Sequence, residues 1–245
     1  REAGVRGLER QLGKVVRKAA TAIASGTATP PLRIDADDLV GYLGRRKVFH
    51  EEAAQRTAVP GVATGLAVTG AGGDVLFVEA SVADGEPGLT LTGQLGDVMK
   101  ESAQIALSYV RAHAAELGLD ASTLDRRRVH LHVPAGAIPK DGPSAGVTMT
   151  TALVSLLSGR PVRADVGMTG EVTLTGRVLQ IGGVKQKLLA AHRAGLRRII
   201  LPERNEADLD EVPEAIRDDL DITLASDVRQ VLEVALAAPA AAQAA

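Results

Sequence analysis

The run "PKDGPSAGVTM", Pro139 to Met149, places Ser144 between two glycines at the head of an apolar stretch. Such a serine can do three kinds of work. It can cap the helix that follows, for about 1 kcal/mol, but capping needs neither Gly142 nor Gly146, and glycines two residues away on each side let other backbone approach the hydroxyl. It can sit in a phosphate cradle, but that requires G-x-x-x-x-G-K-[ST], a run absent from the chain, and Lys140 precedes the glycine instead of following it. It can be a nucleophile. "GPSAG" matches the G-x-S-x-G elbow of α/β-hydrolases. The elbow also demands a strand, an immediate sharp turn, a helix, and then an acid and a histidine. Here a long loop carrying Pro134, Pro139 and Pro143 intervenes, and His192 is the one histidine downstream.

A lysine can also deprotonate a serine if it is desolvated enough to be neutral. Its pKa must fall from about 10.4 to about 7–8, which costs roughly 4 kcal/mol of burial. Lys185 and Lys187 in "IGGVKQKLLAA" both sit among small and apolar residues. At helical spacing Lys185 neighbours Ile181, Gly182, Leu188 and Leu189. Lys187 neighbours Gly183, Val184, Ala190 and Ala191. A surface lysine with a snorkelling stem fits the same pattern, and periodicity does not choose between the two. His130 and His132 in "RVHLHV" share one strand face, and Glu79 lies in "FVEAS". A metal reading of H-x-H wants a third ligand; structural hydrogen bonding is the plainer expectation.

These side chains need a scaffold. Arg1 to about Gly26 fits an amphipathic helix with Leu8, Leu12, Val15, Ala19 and Ile23 on one stripe. Pro30 and Pro31 break it, and "DADDLVGYLG" reads as a short second helix. A pair with so little apolar surface seldom folds alone and is expected to be the tail of an upstream domain. From about Ala58 the pattern changes. "GVATGLAVTG" and "GDVLFVEASV" alternate as paired strands about a turn at Ala71-Gly72-Gly73. "GDVMKESAQIALSYVRAHAAELGL" reads as a long helix with Met99, Ala103, Ala106, Val110, Ala114 and Leu117 inward. A strand at "RVHLHV", a buried helix at "PSAGVTMTTALVSLLSG" and a hairpin over "ADVGMTGEVTLTGRVLQIGG" follow. A helix at "VKQKLLAAHRAG", a strand at "LRRIILP" and a last helix, strand and helix complete the pattern. Strands and helices mixed without a regular βαβ rhythm point to an α+β, or mixed α/β, domain.

Composition narrows the function. Apolar residues make up 45% and the net charge is −2, which gives no general attraction to nucleic acid or anionic membrane. Aromatics at 2% leave little for base stacking. With no cysteine, thiol catalysis, disulfides and cysteine-bound zinc are excluded. No apolar run reaches membrane-spanning length. The chain begins without a methionine and reads as a fragment of something longer.

"PKDGPSAGVTM", "MTGEVTLTGRVLQIGGVKQKLLAAHRAG" and "REAGVRGLERQLGKVVRKAA" together resemble bacterial Lon protease of the soluble A type. The resemblance implies an α+β Lon-type proteolytic domain over residues 53–238, preceded by part of an AAA+ small helical subdomain over 1–52 and followed by a flexible tail, 239–245. It implies a serine endopeptidase with Ser144 as nucleophile and Lys187 as general base. Thr169 would hold the lysine amine and Asp141 would gate the site. Glu79, His130 and His132 are candidates for supporting the dyad, and Arg6 for sensing nucleotide. No cofactor is expected in this fragment and no metal, whereas the whole enzyme would use ATP and Mg. Its partners would be unfolded proteins, peptides and further copies in a cytoplasmic hexameric ring, with no membrane and no indication of nucleic acid. Two alternatives stay open: a non-catalytic ring-forming scaffold, and a Ser-His-Asp esterase using His192.

Overall fold

The computed structural model describes residues 4–45, 56–124, 126–134 and 139–238. The expected tail, 239–245, and the expected boundary between residues 52 and 53 lie outside the described residues. The chain divides into two compact units, Arg1–Glu51 and Glu52–Ala245. In the first, helix α1 spans Arg6–Ala24 and α2 spans Leu39–Leu43 behind a 3-10 turn at Ala36–Asp38. The apolar stripe of α1 is real, yet none of its residues is buried.

The second unit is built on a seven-stranded sheet in the order β3-β4-β2-β1-β5-β8-β9. Its strands are β1 (Val62–Thr69), β2 (Gly72–Asp84), β3 (Gly88–Thr92), β4 (Arg127–His132), β5 (Val166–Met168), β8 (Arg198–Pro202) and β9 (Asp221–Ala225). Only β2 runs against its neighbours; the other pairings are parallel. The sheet is therefore mixed, as the irregular rhythm of strands and helices requires. A small separate hairpin pairs β6 (Glu171–Val172) with β7 (Val178–Leu179). One core gathers α3 (Asp97–Ala112), α4 (Gly146–Ser158) and α7 (Val228–Ala235) around Val78, Val129, Leu131, Met149 and Leu153. A second core forms around Leu66, Leu188, Ile199 and Leu201, with α5 (Val184–Arg193) and α6 (Glu214–Asp218) packed there.

Three local expectations shift. The β1–β2 turn closes on Gly70 and Ala71, with Thr69 opposite Gly72. The Thr69 hydroxyl decides this: it accepts from the Ala71 N–H at 3.2 Å and donates to the Gly72 carbonyl at 3.0 Å, leaving Gly72 and Gly73 free to join β2. Helix α3 stops at Ala112, and turns carry the chain on to Gly118 in the left-handed region. Met99, Ala103, Ala106, Val110 and Ala114 are buried as the stripe demands, while Leu117 packs at the margin. Strand β3 is not among the expected elements: its alternation, Leu89-Thr90-Leu91-Thr92, is only four residues long, and the strand is held by its parallel pairing with β4.

Candidate active site

Ser144 lies in a 3-10 turn, Pro143–Ala145, that leads straight into α4. The turn is pinned from the side by the residues that leave β5. The Gly170 N–H donates to the Ser144 carbonyl at 2.9 Å, and the Val147 N–H donates to the Gly170 carbonyl at 3.1 Å. Gly146 makes this approach possible, since a Cβ there would stand 2.9 Å from the backbone nitrogen of Val172. The glycine after the serine thus serves close backbone packing. The serine side chain makes no cap for α4.

Thr169 follows β5 directly, and its own N–H is tied to the Ile200 carbonyl at 3.1 Å. Its hydroxyl donates to the Ser144 carbonyl at 3.1 Å. That uses the one proton the hydroxyl has, so its lone pairs are left to accept. The Lys187 amine supplies the donor, with Nζ 3.0 Å from Thr169 Oγ1. The amine and the backbone of Ser144 are therefore joined through a single hydroxyl.

Helix α5 turns its two lysines to different media. Lys187 is 2% exposed, whereas Lys185 is exposed. Val184, Leu188 and Ala191 anchor the helix in the second core. Burial lowers the Lys187 pKa from its ordinary 10.5 to about 8. At neutral pH roughly a tenth of such amines are uncharged, against fewer than one in a thousand at the ordinary value. A buried, partly neutral amine that already donates one hydrogen to a threonine keeps its lone pair for another proton.

The other expected residues fall in different places. His192 is five residues further along α5, about 140° round the helix from Lys187 and about 7.5 Å along its axis. It pairs with Asp219 at 2.8 Å. His130 and His132 do share a face of β4, and the Thr92 hydroxyl bridges them, 2.9 Å from His130 Nε2 and 2.6 Å from His132 Nδ1. Glu79 stands opposite His132 in the ladder and meets Arg56 at 3.4 Å. The bonds of this cluster go to Thr92 and Arg56, not to Ser144, Thr169 or Lys187. Among the described residues no group of three His, Asp or Glu is placed to hold a metal ion. Asp141 turns its carboxylate to α3, accepting from the Met99 N–H at 3.0 Å. Arg6 is exposed at the first position of α1, in the other unit.

Asn205 is a buried polar residue near the start of α5 that the sequence hides. It is 3% exposed, accepts from the Ile181 N–H at 3.0 Å and donates to the Ile181 carbonyl at 2.8 Å, so it copies a strand partner just ahead of α5. Its setting, "ERNEADLDE", reads as plain polar surface, and no periodicity marks it.

Residues 33–238 match the Lon protease (S16) C-terminal proteolytic domain, and residues 1–31 match the Lon protease AAA+ ATPase lid domain. The chain is 66% identical to the Lon proteases of Salinispora arenicola and of Mycolicibacterium smegmatis, each over 96% of its length. It is 69% identical to the Lon protease of Frankia alni over 96% of its length. It spans 30%, 30% and 27% of those three proteins. A family match over residues 33–238, with such identities over most of the chain, shows that the chain belongs to the Lon proteases and carries their C-terminal proteolytic domain.

Proposed function

We propose that this chain is the hydrolytic part of an ATP-dependent serine endopeptidase in which Ser144 is the nucleophile and Lys187 the general base. The observation that carries the reading is the buried amine of Lys187, lowered to a pKa of about 8 and held by a threonine that also holds Ser144. The neutral amine takes the Ser144 hydroxyl proton as Oγ adds to the scissile carbonyl carbon. Backbone N–H groups at the start of α4 receive the negative charge that develops on the carbonyl oxygen. The resulting ammonium gives its proton to the leaving amine, and an acyl-enzyme remains. Water then adds to the ester carbonyl, Lys187 takes a proton from that water and returns it to Ser144 Oγ, and the acid product leaves. Thr169 keeps the amine aimed through both halves.

The wider role follows from family membership. Unfolded proteins are the proposed substrates, further copies in a six-fold ring the proposed partners, and the cytoplasm the proposed location. Among the described residues no helix is long and apolar enough to cross a membrane. The ATP and Mg of such an enzyme do not fit the residues of this chain, which has no G-x-x-x-x-G-K-[ST] run. No chemical step here passes through them, and Arg6 is a nucleotide contact only in that larger setting.

The test is cleavage of a short peptide by the chain without ATP, together with labelling by a serine-reactive peptide warhead. Lys187→Ala is expected to lower cleavage about 10³-fold, because nucleophile and base act as a unit, and Lys185→Ala to change it less than about twofold. Equal losses, or the reverse order, would remove the assignment. No labelling of Ser144 in folded protein would favour a scaffold, and loss on His192→Ala with Lys187→Ala active would favour the esterase.

A further inference from the structure

Helix α5 carries Lys187, and the turn end of the β1–β2 hairpin meets that helix at the peptide group joining Gln186 to Lys187. The carbonyl of this group lies against Gly73. A Cβ at Gly73 would run into the Gln186 carbonyl oxygen and stand 3.1 Å from the Ala190 Cβ, one turn further along. The N–H of the same group, that of Lys187, donates to the Gly183 carbonyl at 3.0 Å. Gly183 in turn rests on Val68, since a Cβ there would stand 2.5 Å from Val68 Cγ2. Val68 and Gly73 are directly opposite each other in the β1–β2 ladder. The Arg193 guanidinium also donates to the Gly73 carbonyl, at 3.0 Å. One cross-strand pair thus touches α5 at its N-cap, its first turn and its last residue.

Gly73 is needed for this approach and not for its own conformation. It lies in β2 with a φ outside the left-handed region, so any residue could adopt its backbone. Without a Cβ, the strand lets the helix backbone come down onto it. The same hairpin sets the other partner of the lysine. Gly65 stands three residues before Val68, about 10 Å back along β1. It pairs with Met168 of β5, and Thr169 follows. Strand β1 therefore fixes both ends of the 3.0 Å contact between Lys187 Nζ and Thr169 Oγ1, one through α5 and the other through β5. A lift of α5 by about 1 Å would take that contact out of hydrogen-bond range.

We infer that Val68 and Gly73 form the stop on which α5 rests, and that this stop holds the Lys187 amine against Thr169 and out of water. Both are positioning residues, and their consequence for rate rests on the reading of Lys187 as the base. Burial is what lowers the Lys187 pKa, so the titration of this amine reports how dry it is kept.

The experiment compares Gly73→Ala with Gly70→Ala in the whole chain. Gly70 belongs to the same hairpin and its φ is not left-handed; among the described residues, no atom beyond its chain neighbours lies within 4 Å of where its Cβ would stand. The first readout needs no catalysis: the Lys187 side chain is titrated by NMR in a Ser144→Ala background. Gly73→Ala should move the midpoint up from about 8 to about 9 or above, and Gly70→Ala should leave it in place. The second readout is kcat/KM for a peptide. Gly73→Ala should lower it about tenfold at pH 7, with the loss shrinking above pH 9 because the midpoint of the rise has moved up. If Gly73→Ala does not fold, Val68→Ala decides instead. Val68 is 49% exposed, so the fold tolerates its truncation, and the midpoint should rise with a two- to threefold loss at about pH 7. An unshifted Lys187 titration in the folded variant, an equal shift in Gly70→Ala, or a loss of cleavage that is the same at every pH would overturn the inference. A shifted titration beside cleavage that survives Lys187→Ala would remove the base and leave the stop standing.

Discussion

Lys187 is a residue whose burial weakens the fold and, in the proposed mechanism, equips the site. Its folded pKa lies below its unfolded one, so the folded state favours the neutral amine. The penalty is fully present below about pH 8 and fades as the pH rises toward 10.5. The drop from 10.5 to about 8 corresponds to about 3 kcal/mol. Lys187→Met is therefore expected to abolish cleavage and yet raise stability at pH 7 by about 1–3 kcal/mol. The threonine left behind still donates to the Ser144 carbonyl, so no donor is orphaned. Denaturant unfolding at pH 7 and at pH 10 checks this: the gain should shrink at the higher pH, and a loss of stability at pH 7 would contradict it. The same titration governs rate. The proposed base works only when deprotonated, so kcat/KM should climb through pH 8 and level off near pH 9. A profile flat from pH 7 to 9, with the assembly state unchanged, would point to a different base.

At the scale of elements, the site is a meeting of three starts and ends: the exit of β5, the entry of α4 and the first turns of α5. Each is fastened by backbone bonds that side-chain patterning does not report. Asn205 holds the residue that leads into α5 through two bonds to Ile181. Asn205→Ala would leave a backbone N–H and a carbonyl without partners in a largely buried place. It is expected to cost about 1–3 kcal/mol and to slow peptide cleavage, since Lys187 rides on the helix that follows. Asn205→Asp, which would set a buried carboxylate against Asp208 and the Ile181 carbonyl in place of the amide that donates to both, should cost at least as much as Asn205→Ala. A melting temperature unchanged in Asn205→Ala would show that solvent replaces both bonds.

For the whole molecule, the two units differ in how they are held. Residues 4–45 contribute no buried side chain, whereas Ile199, Ile200 and Leu201 of β8 are almost fully enclosed. A lone amphipathic helix of this length is marginal in water. Hydrogen exchange followed by mass spectrometry should show α1 exchanging at least about a hundredfold faster than β8. Comparable protection would mean that the first unit has a source of stability beyond its own packing.

By itself the sequence determined much of this protein. Alternation in β1, β2 and β4 and the stripe of α3 are short-range signals, because a side chain's facing follows from its place in a period of two or 3.6. The serine and the lysine pair were legible as residue types, and the threonine only through the family pattern, which was legible because its motifs are long and ordered. Choosing between Lys185 and Lys187 by spacing was not possible, since both have small and apolar neighbours on one helix. The family pattern pointed to Lys187, and only the tertiary structure shows the physical difference between the two, with Lys187 against Thr169 and Lys185 in solvent. The same holds for Asp141 on α3, for Asn205 beside Ile181 and for Thr92 between two histidines. Each of these is a contact between segments far apart in the chain, and no local rule of sequence encodes which polar atom will find which.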